Sequence, residues 1–234
     1  MINFLQQHDF FIDKKIDSCI YLEQQGYCNE NYVIVSEGKK YIARKLVRED
    51  IDRKFEYSIQ KAAYMICIAA EPLILDEKNN LMIAEFLEGK HKRKLNTEDL
   101  KNLAHVLRKL HSIECNKMPI DIEIKNKTDE VLNAFKTITS YPGEYVLCHN
   151  DLNPQNIFFS DEIKFIDFEY AGVNDRYFDL ACVCVEFKLK SIEEQYLLEY
   201  YFQTEKRNED KLRAYKILYK ELVQEWFLNN DSQY

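Results

Sequence analysis

Glycine and proline are scarce in this chain, five and four among 234 residues. That scarcity excludes collagen-like repeats and Pro- or Gly-rich linkers, and it forces few loops. No apolar run approaches the roughly 18 residues of a membrane span. The start, Met1-Ile2-Asn3-Phe4-Leu5-Gln6-Gln7-His8-Asp9, lacks the basic and apolar zones of a secretory signal. Positive charge is in deficit: 32 Lys and Arg stand against 40 Asp and Glu, a net charge of −8, which argues against a nucleic-acid surface. Cysteine carries no framework either. The count is seven, odd and scattered, and Cys182-x-Cys184 has no second pair at zinc spacing. Flanked by Leu180, Val183 and Val185, these two read as reduced thiols on a core helix, so the expected compartment is a reducing cytoplasm.

What is present is apolar residue in quantity. At 46% it suffices for one sizeable core, or for two small lobes with a cleft between them. Tyr32–Val35 and Lys40–Arg44 read as strands around Ser36-Glu37-Gly38-Lys39. Asp52 to Ala70 has helical spacing, with Phe55, Ile59, Ala62, Ala63 and Ile66 on one side. Leu73–Leu75 and Leu81–Phe86 read as a hairpin. Beyond Glu85-Phe86-Leu87-Glu88-Gly89 the pattern turns helical. Leu100, Leu103, Ala104, Leu107 and Leu110 share a stripe, with Asn96 or Thr97 as N-cap. Further helices are expected over Arg176–Lys190, from a capping box at Ser191-Ile192-Glu193-Glu194, and over Asn208–Leu228. The last has Leu212, Tyr215, Leu218, Tyr219, Leu222 and Trp226 on one stripe.

The most specific signal is His149-Asn150-Asp151-Leu152-Asn153-Pro154-Gln155-Asn156, followed by the apolar strand Ile163–Ile166 and then Asp167-Phe168-Glu169-Tyr170. His-x-Asp-x-x-x-x-Asn with a second Asp after a strand is the carboxylate and amide set that phosphoryl transfer from a metal-nucleotide requires. Asp151 would take the proton of a substrate hydroxyl or orient it. Asn156 and Asp167 offer oxygen ligands suited to Mg²⁺. The strands Tyr145–Cys148 and Ile163–Ile166 would set the loop and the second Asp side by side.

This pair of motifs resembles the protein-kinase-like phosphotransferases. His149–Ile157, Ile166–Gly172, Asn174-Asp175, Phe178-Asp179-Leu180-Ala181 and Glu186 together resemble the choline/ethanolamine kinase branch, which is related to the aminoglycoside phosphotransferases. A protein kinase would carry Gly where Glu169 stands. The resemblance is firm over about Val146–Glu186 and loose elsewhere. It implies a bilobal α+β kinase-like fold, with an N-lobe over residues 1–84 and a mainly helical C-lobe over 85–234. It also implies ATP with Mg²⁺, a small amino alcohol as acceptor, and no nucleic acid or membrane span.

The resemblance also assigns roles. Gly26, Asn29 and Asn31, in Gly-x-x-Asn-x-Asn-Tyr, would cover the nucleotide, and Glu85 would lie at the hinge. Alternation along Tyr41–Lys45 lets either Arg44 or Lys45 face a cleft, but not both. The resemblance selects Arg44 as the phosphate cation, with Glu56 on the next helix as its partner. His149 would fix the loop, with Asp179 as its partner. Asn153 and Glu169 would stand on the acceptor side, Glu169 adding negative charge near the metal. Tyr170, Glu186, Tyr219 and Trp226 would form an ammonium pocket of aromatic faces and a carboxylate. Where choline kinases carry two Trp a turn apart, this chain has Val223 and Trp226. Ethanolamine, thiamine and aminoglycosides therefore stand behind choline as acceptors. A nucleotide-binding pseudokinase is the alternative from a different class.

Overall fold

The computed structural model describes residues 1–23 and 29–230. The chain forms two compact units, one of Met1–Gly89 with Lys164–Glu169, the other of Lys90–Ile163 with Tyr170–Tyr234.

The first unit is built on an antiparallel sheet in the order β1-β2-β3-β5-β4: β1 Ile16–Tyr21, β2 Asn29–Ser36, β3 Lys39–Leu46, β4 Pro72–Asp76 and β5 Leu81–Glu85. Helix α1 (Ile2–Gln7) and β1 were not expected from sequence. They enter the core through Leu5, Phe11 and Ile16, which pack with Ile34, Ala43, Leu81 and Ile83. The pleat separates Arg44 from Lys45. Arg44 is buried, whereas Lys45 is half exposed and reaches Glu30. Helix α2 (Arg53–Met65) starts at Asp52, whose carboxylate accepts the Phe55 N–H, and buries Glu56, Ile59, Gln60 and Ala63. It stops five residues short of the expected Ala70. Cys67 takes a left-handed φ of 64°, and Ala69 forms a parallel bridge to Phe165.

The second unit is mainly helical: α3 Thr97–His111, α4 Asp129–Thr139, α5 Arg176–Glu186, α6 Ser191–Phe202 and α7 Glu209–Asn230. Asn96 caps α3 in a reciprocal box with Asp99, and the expected Leu stripe is its buried face. Helix α5 is buried from Tyr177 to Cys184 and packs on α7, while α3 packs on α6 and α4 on α7. Helix α5 ends at Glu186 rather than Lys190, because Phe187 is its C-cap and Lys188 turns left-handed. The N-cap of α6 is Lys190, not Ser191; the Glu193 carboxylate accepts the Lys190 N–H. Strand β6 (Tyr145–Cys148) leads into the His149–Asn156 loop, and β7 (Ile157–Phe159) follows it. The next strand, β8, spans Ile163–Phe165. The partner of β6 is β9 (Gly172–Asp175), with Cys148 opposite Gly172. Lys211 of α7 is fully buried, and its ammonium meets Asp175 at 2.6 Å, Glu144 at 3.1 Å and the Pro142 carbonyl at 2.9 Å. A buried cation so compensated fixes the register of α7 against β9.

Candidate active-site residues

Within the first unit, β3, α2 and the segment after β8 bring five charges together. The Arg44 guanidinium donates to Glu56 Oε1 at 2.7 Å and to Asp167 Oδ1 at 2.6 Å. Arg53, one turn before Glu56, donates to Glu56 Oε2 at 2.7 Å and to Glu169 Oε2 at 3.3 Å. Burial works against the charge on Arg44, but Asp167, Glu56 and Glu169 outweigh it and hold the guanidinium protonated. Three carboxylates therefore face two guanidiniums, one negative charge in excess, as a site that receives a cation requires. Asp167 adopts a left-handed φ of 64°, a strained conformation of the kind that clusters at functional sites.

The nucleotide-side residues named from sequence fall as follows. Asn29 is buried and bonds Glu169 at 3.0 Å and Arg53 at 3.2 Å, so its amide is held inside the charge cluster. Asn31 lies opposite Arg44 in the β2–β3 register. Glu85 ends β5 and donates its N–H to the Glu71 carbonyl. Gly26 lies outside the described residues. Glu169, expected on the acceptor side, is buried against Arg53 and Asn29 in the first unit.

Within the second unit the loop after β6 is organised around Asp151. Asn153 donates to its Oδ1 at 3.0 Å and Asn156 to its Oδ2 at 2.8 Å. The Asn156 NH₂ also reaches the Asp151 carbonyl at 2.9 Å, leaving the amide oxygen as the ligand atom for a hard cation. Asp179, fully buried on α5, accepts the main-chain N–H of His149 and of Asn150, both at 2.8 Å. The expected His149–Asp179 contact thus runs through the backbone of His149. The ring meeting Asp179 is that of His111, at 3.1 Å, with the Tyr201 hydroxyl at 2.6 Å on its other nitrogen. His149 Nδ1 accepts the Asp151 N–H at 3.3 Å, which fits the loop-fixing role expected of it. His111, Cys148 and Asp179 are the one cluster of possible metal ligands among the described residues. Their polar atoms are already engaged in these bonds and in Cys148 contacts to the Asn174 and Asp175 carbonyls.

Of the residues expected in the acceptor pocket, Glu186 lies on α5, and Tyr219 and Trp226 lie on α7. Tyr219 donates its hydroxyl to Glu186 Oε1 at 2.9 Å. Burial pushes the Glu186 carboxyl up, the Tyr219 hydrogen bond opposes this, and the Asp151 charge adds to it. Asn150, with a left-handed φ of 66°, donates to the Tyr170 carbonyl at 3.0 Å and so ties Tyr170 to the catalytic loop. Trp226 lies two turns beyond Tyr219 on α7, partly exposed, edge-on to Phe227 at 5.2 Å. The sequence reading passed over Arg53, Asn150 and His111. Arg53 had a signal in its i, i+3 spacing to Glu56, and His111 in Leu110-His111-Ser112, which is similar to a run common in the phosphotransferases it resembles.

Residues 123–215 match the phosphotransferase enzyme family. The chain is 27% identical over 205 residues to protein LicA of Haemophilus influenzae, covering 75% of this chain and 60% of that one. It therefore spans about three fifths of that relative's length. Among solved structures, choline kinase LicA from Streptococcus pneumoniae superposes with a TM-score of 0.84 at 20% identity, covering 100% of this chain and 92% of that one. A structure of LicA in complex with AMP gives a TM-score of 0.76 at 21% identity, covering 99% and 88%. These matches show that the chain has the fold of the protein-kinase-like phosphotransferases, with residues 123–215 similar to the phosphotransferase enzyme family. Within that class its similarity runs to the choline/ethanolamine kinase branch.

Proposed function

We propose that the protein transfers the γ-phosphoryl group of ATP to the hydroxyl of a small amino alcohol, choline first and ethanolamine second. The observation that carries the acceptor class is the Glu186–Tyr219 pair. A half-buried carboxylate, whose charge burial disfavours, becomes favourable when a cation compensates it, and an ammonium group does so without needing to donate a hydrogen bond. Tyr170, Tyr219 and Trp226 supply the aromatic faces, and Val223 in place of a second Trp keeps ethanolamine in play.

In this reading residues 1–84 cover the nucleotide and 85–234 carry the acceptor. Arg44, oriented by Glu56, meets the phosphates, with Asn29 and Asn31 lining that side and the hinge at Glu85. Asp151, held by Asn153 and Asn156, orients the acceptor hydroxyl and takes its proton as the oxygen attacks phosphorus. With an ordinary carboxylate as base, most of the effect is positioning. Asp167 and the Asn156 amide oxygen are each oxygen donors of the kind that Mg²⁺, a hard cation, takes. When bound, the ion supplies charge neutralisation on the phosphates. Glu169 stays with Arg53 and holds its guanidinium beside Glu56.

The test is ADP release with Mg²⁺ across choline, ethanolamine, thiamine and an aminoglycoside, beside thermal shift with ATP. Choline-dependent ADP release is expected. Stabilisation by ATP with Mg²⁺, but no release with any acceptor, would replace this reading with the pseudokinase. Among the described residues no helix is long and apolar enough to cross a membrane.

A further inference from the structure

Strands β6 and β9 pair with Cys148 opposite Gly172 and Val146 opposite Asn174. The same register carried two residues further would set Asn150 against Tyr170. The ladder ends instead, because Asn150 turns left-handed at a φ of 66° and gives its main-chain N–H to Asp179 Oδ1 at 2.8 Å. Its side chain takes over where the ladder stops. The Asn150 amide nitrogen donates to the Tyr170 carbonyl at 3.0 Å and to the Gly172 carbonyl at 3.4 Å. Its amide oxygen accepts from Asn174 Nδ2 at 3.0 Å, and Asn174 Oδ1 accepts the Asp175 N–H at 2.8 Å. Asn174 is buried and Asn150 half-buried.

Every donor in this chain of bonds is fixed from both ends. The Asp175 N–H can only donate, so the Asn174 oxygen faces it and the Asn174 nitrogen faces Asn150. The Tyr170 and Gly172 carbonyls can only accept, so the Asn150 nitrogen faces them and its oxygen faces Asn174. Both side chains must therefore be amides, since an ionised acid at either position would turn an acceptor toward an acceptor. We infer that Asn150 and Asn174 are positioning residues for phosphoryl transfer: their paired amides lock the loop at Asn150-Asp151 against the segment Tyr170–Asp175 and so set the direction of the Asp151 carboxylate. This rests on the reading of Asp151 as the group that orients the acceptor hydroxyl, and it adds what fastens that group to the segment carrying Tyr170. No proton moves along the lock and no covalent bond changes. The effect is geometric, and a displacement of about 1 Å in a reacting arrangement can cost on the order of 10²-fold in rate.

The competing description is a residue chosen for its backbone alone, because Asn tolerates the left-handed region better than most side chains. Asn150→Gly separates the two, since Gly keeps that backbone and deletes the amide. Asn150→Asp also keeps the backbone and still accepts from Asn174, but it sets a carboxylate against two carbonyls, and it carries the same test should the Gly variant not fold. At saturating acceptor, each variant should lower kcat by about tenfold or more with KM for ATP unchanged. Asn174→Ala should do the same, and in the Asn150→Gly background it should add nothing further. Wild-type kcat in Asn150→Gly or Asn150→Asp, a fall in melting temperature alone, or losses that multiply in the double variant would overturn the inference.

A second arm needs no turnover. The Asp151 amide proton is followed by NMR and by hydrogen exchange. Asn174→Ala should shift its resonance and speed its exchange when Asn150 is present, and do neither in the Asn150→Gly background. An Asn174→Ala effect that is the same in both backgrounds, or absent from both, refutes the lock whichever acceptor the enzyme uses. If no acceptor yields ADP, the functional reading fails, and the NMR arm still decides the lock.

Discussion

Glu56→Gln is the sharpest test of the charge cluster in the first unit. The Glu56 side chain is 1% exposed and receives one bond from each of two guanidiniums, both at 2.7 Å. Gln keeps the shape and one acceptor oxygen, but it turns an NH₂ group toward a cation. Removing one partner of a buried pair costs on the order of 3–5 kcal/mol. Here Arg44 retains Asp167 and Arg53 retains Glu169, so the lower end, about 3 kcal/mol, is expected. For a chain of this size that corresponds to a fall of about 6–12 °C in melting temperature. The functional consequence has its own direction. With Glu56 neutral, Arg44 has Asp167 as its main remaining carboxylate, which should raise KM for ATP more than it lowers kcat. Differential scanning fluorimetry and ADP release on the same preparation read both quantities. Glu77→Gln is the control, since it breaks only the exposed Lys54–Glu77 pair and should leave the melting temperature unmoved. A Glu56→Gln protein that melts with wild type and keeps its KM for ATP would show that the cluster anchors nothing.

The other predictions are shorter. Asp151→Asn should lower kcat by about a thousandfold or more while ATP still binds, since general base and positioning effects of this kind contribute ~10²–10⁴; turnover near wild type in an ADP assay would remove Asp151 from the chemistry. Glu186 has a raised carboxyl, so the folded state holds its proton more tightly than the unfolded chain. Its charge therefore costs stability above that raised pKa, and the cost vanishes as pH falls through it. Glu186→Gln should raise the melting temperature at about pH 8 and leave it unchanged at about pH 4, while raising KM for choline; no pH dependence in the difference would contradict the buried-charge argument. Trp226→Leu should raise KM for choline by the equivalent of about 0.5–2 kcal/mol and spare ATP. A lowered melting temperature with an unchanged choline constant would instead make Trp226 a packing residue.

The parts of this protein that were legible in sequence are those whose physics is local. The α3 stripe, its Asn96 cap and the β2–β3 and β4–β5 hairpins follow from period and turn chemistry within a few residues. Asp151, Asn156 and Asp167 stood out in sequence as candidates because their spacing lies within one loop and one strand. Element ends were less so. Helix α2 stops at Met65 although apolar spacing continues to Ile66 and Ala70, because Cys67 turns left-handed and Ala69 pairs with Phe165, nearly a hundred residues away. Helix α4 did carry a signal, Thr128 before Asp129 and Glu130 with Val131, Ala134, Phe135 and Ile138 following, but it sits in a stretch without catalytic motifs.

The partners of the site residues are chosen by tertiary structure. Asp179 was expected as the partner of His149; it accepts the main-chain N–H of His149 and of Asn150, because a carboxylate with two oxygens can hold two consecutive N–H groups and still accept from His111. Glu169 stands beside Tyr170 in sequence, yet the two belong to different compact units, and Glu169 is drawn to Arg53. A buried charge must find a compensating group wherever the fold supplies one. Motif spacing therefore picks out candidate carboxylates, whereas the groups that hold them are chosen by tertiary structure.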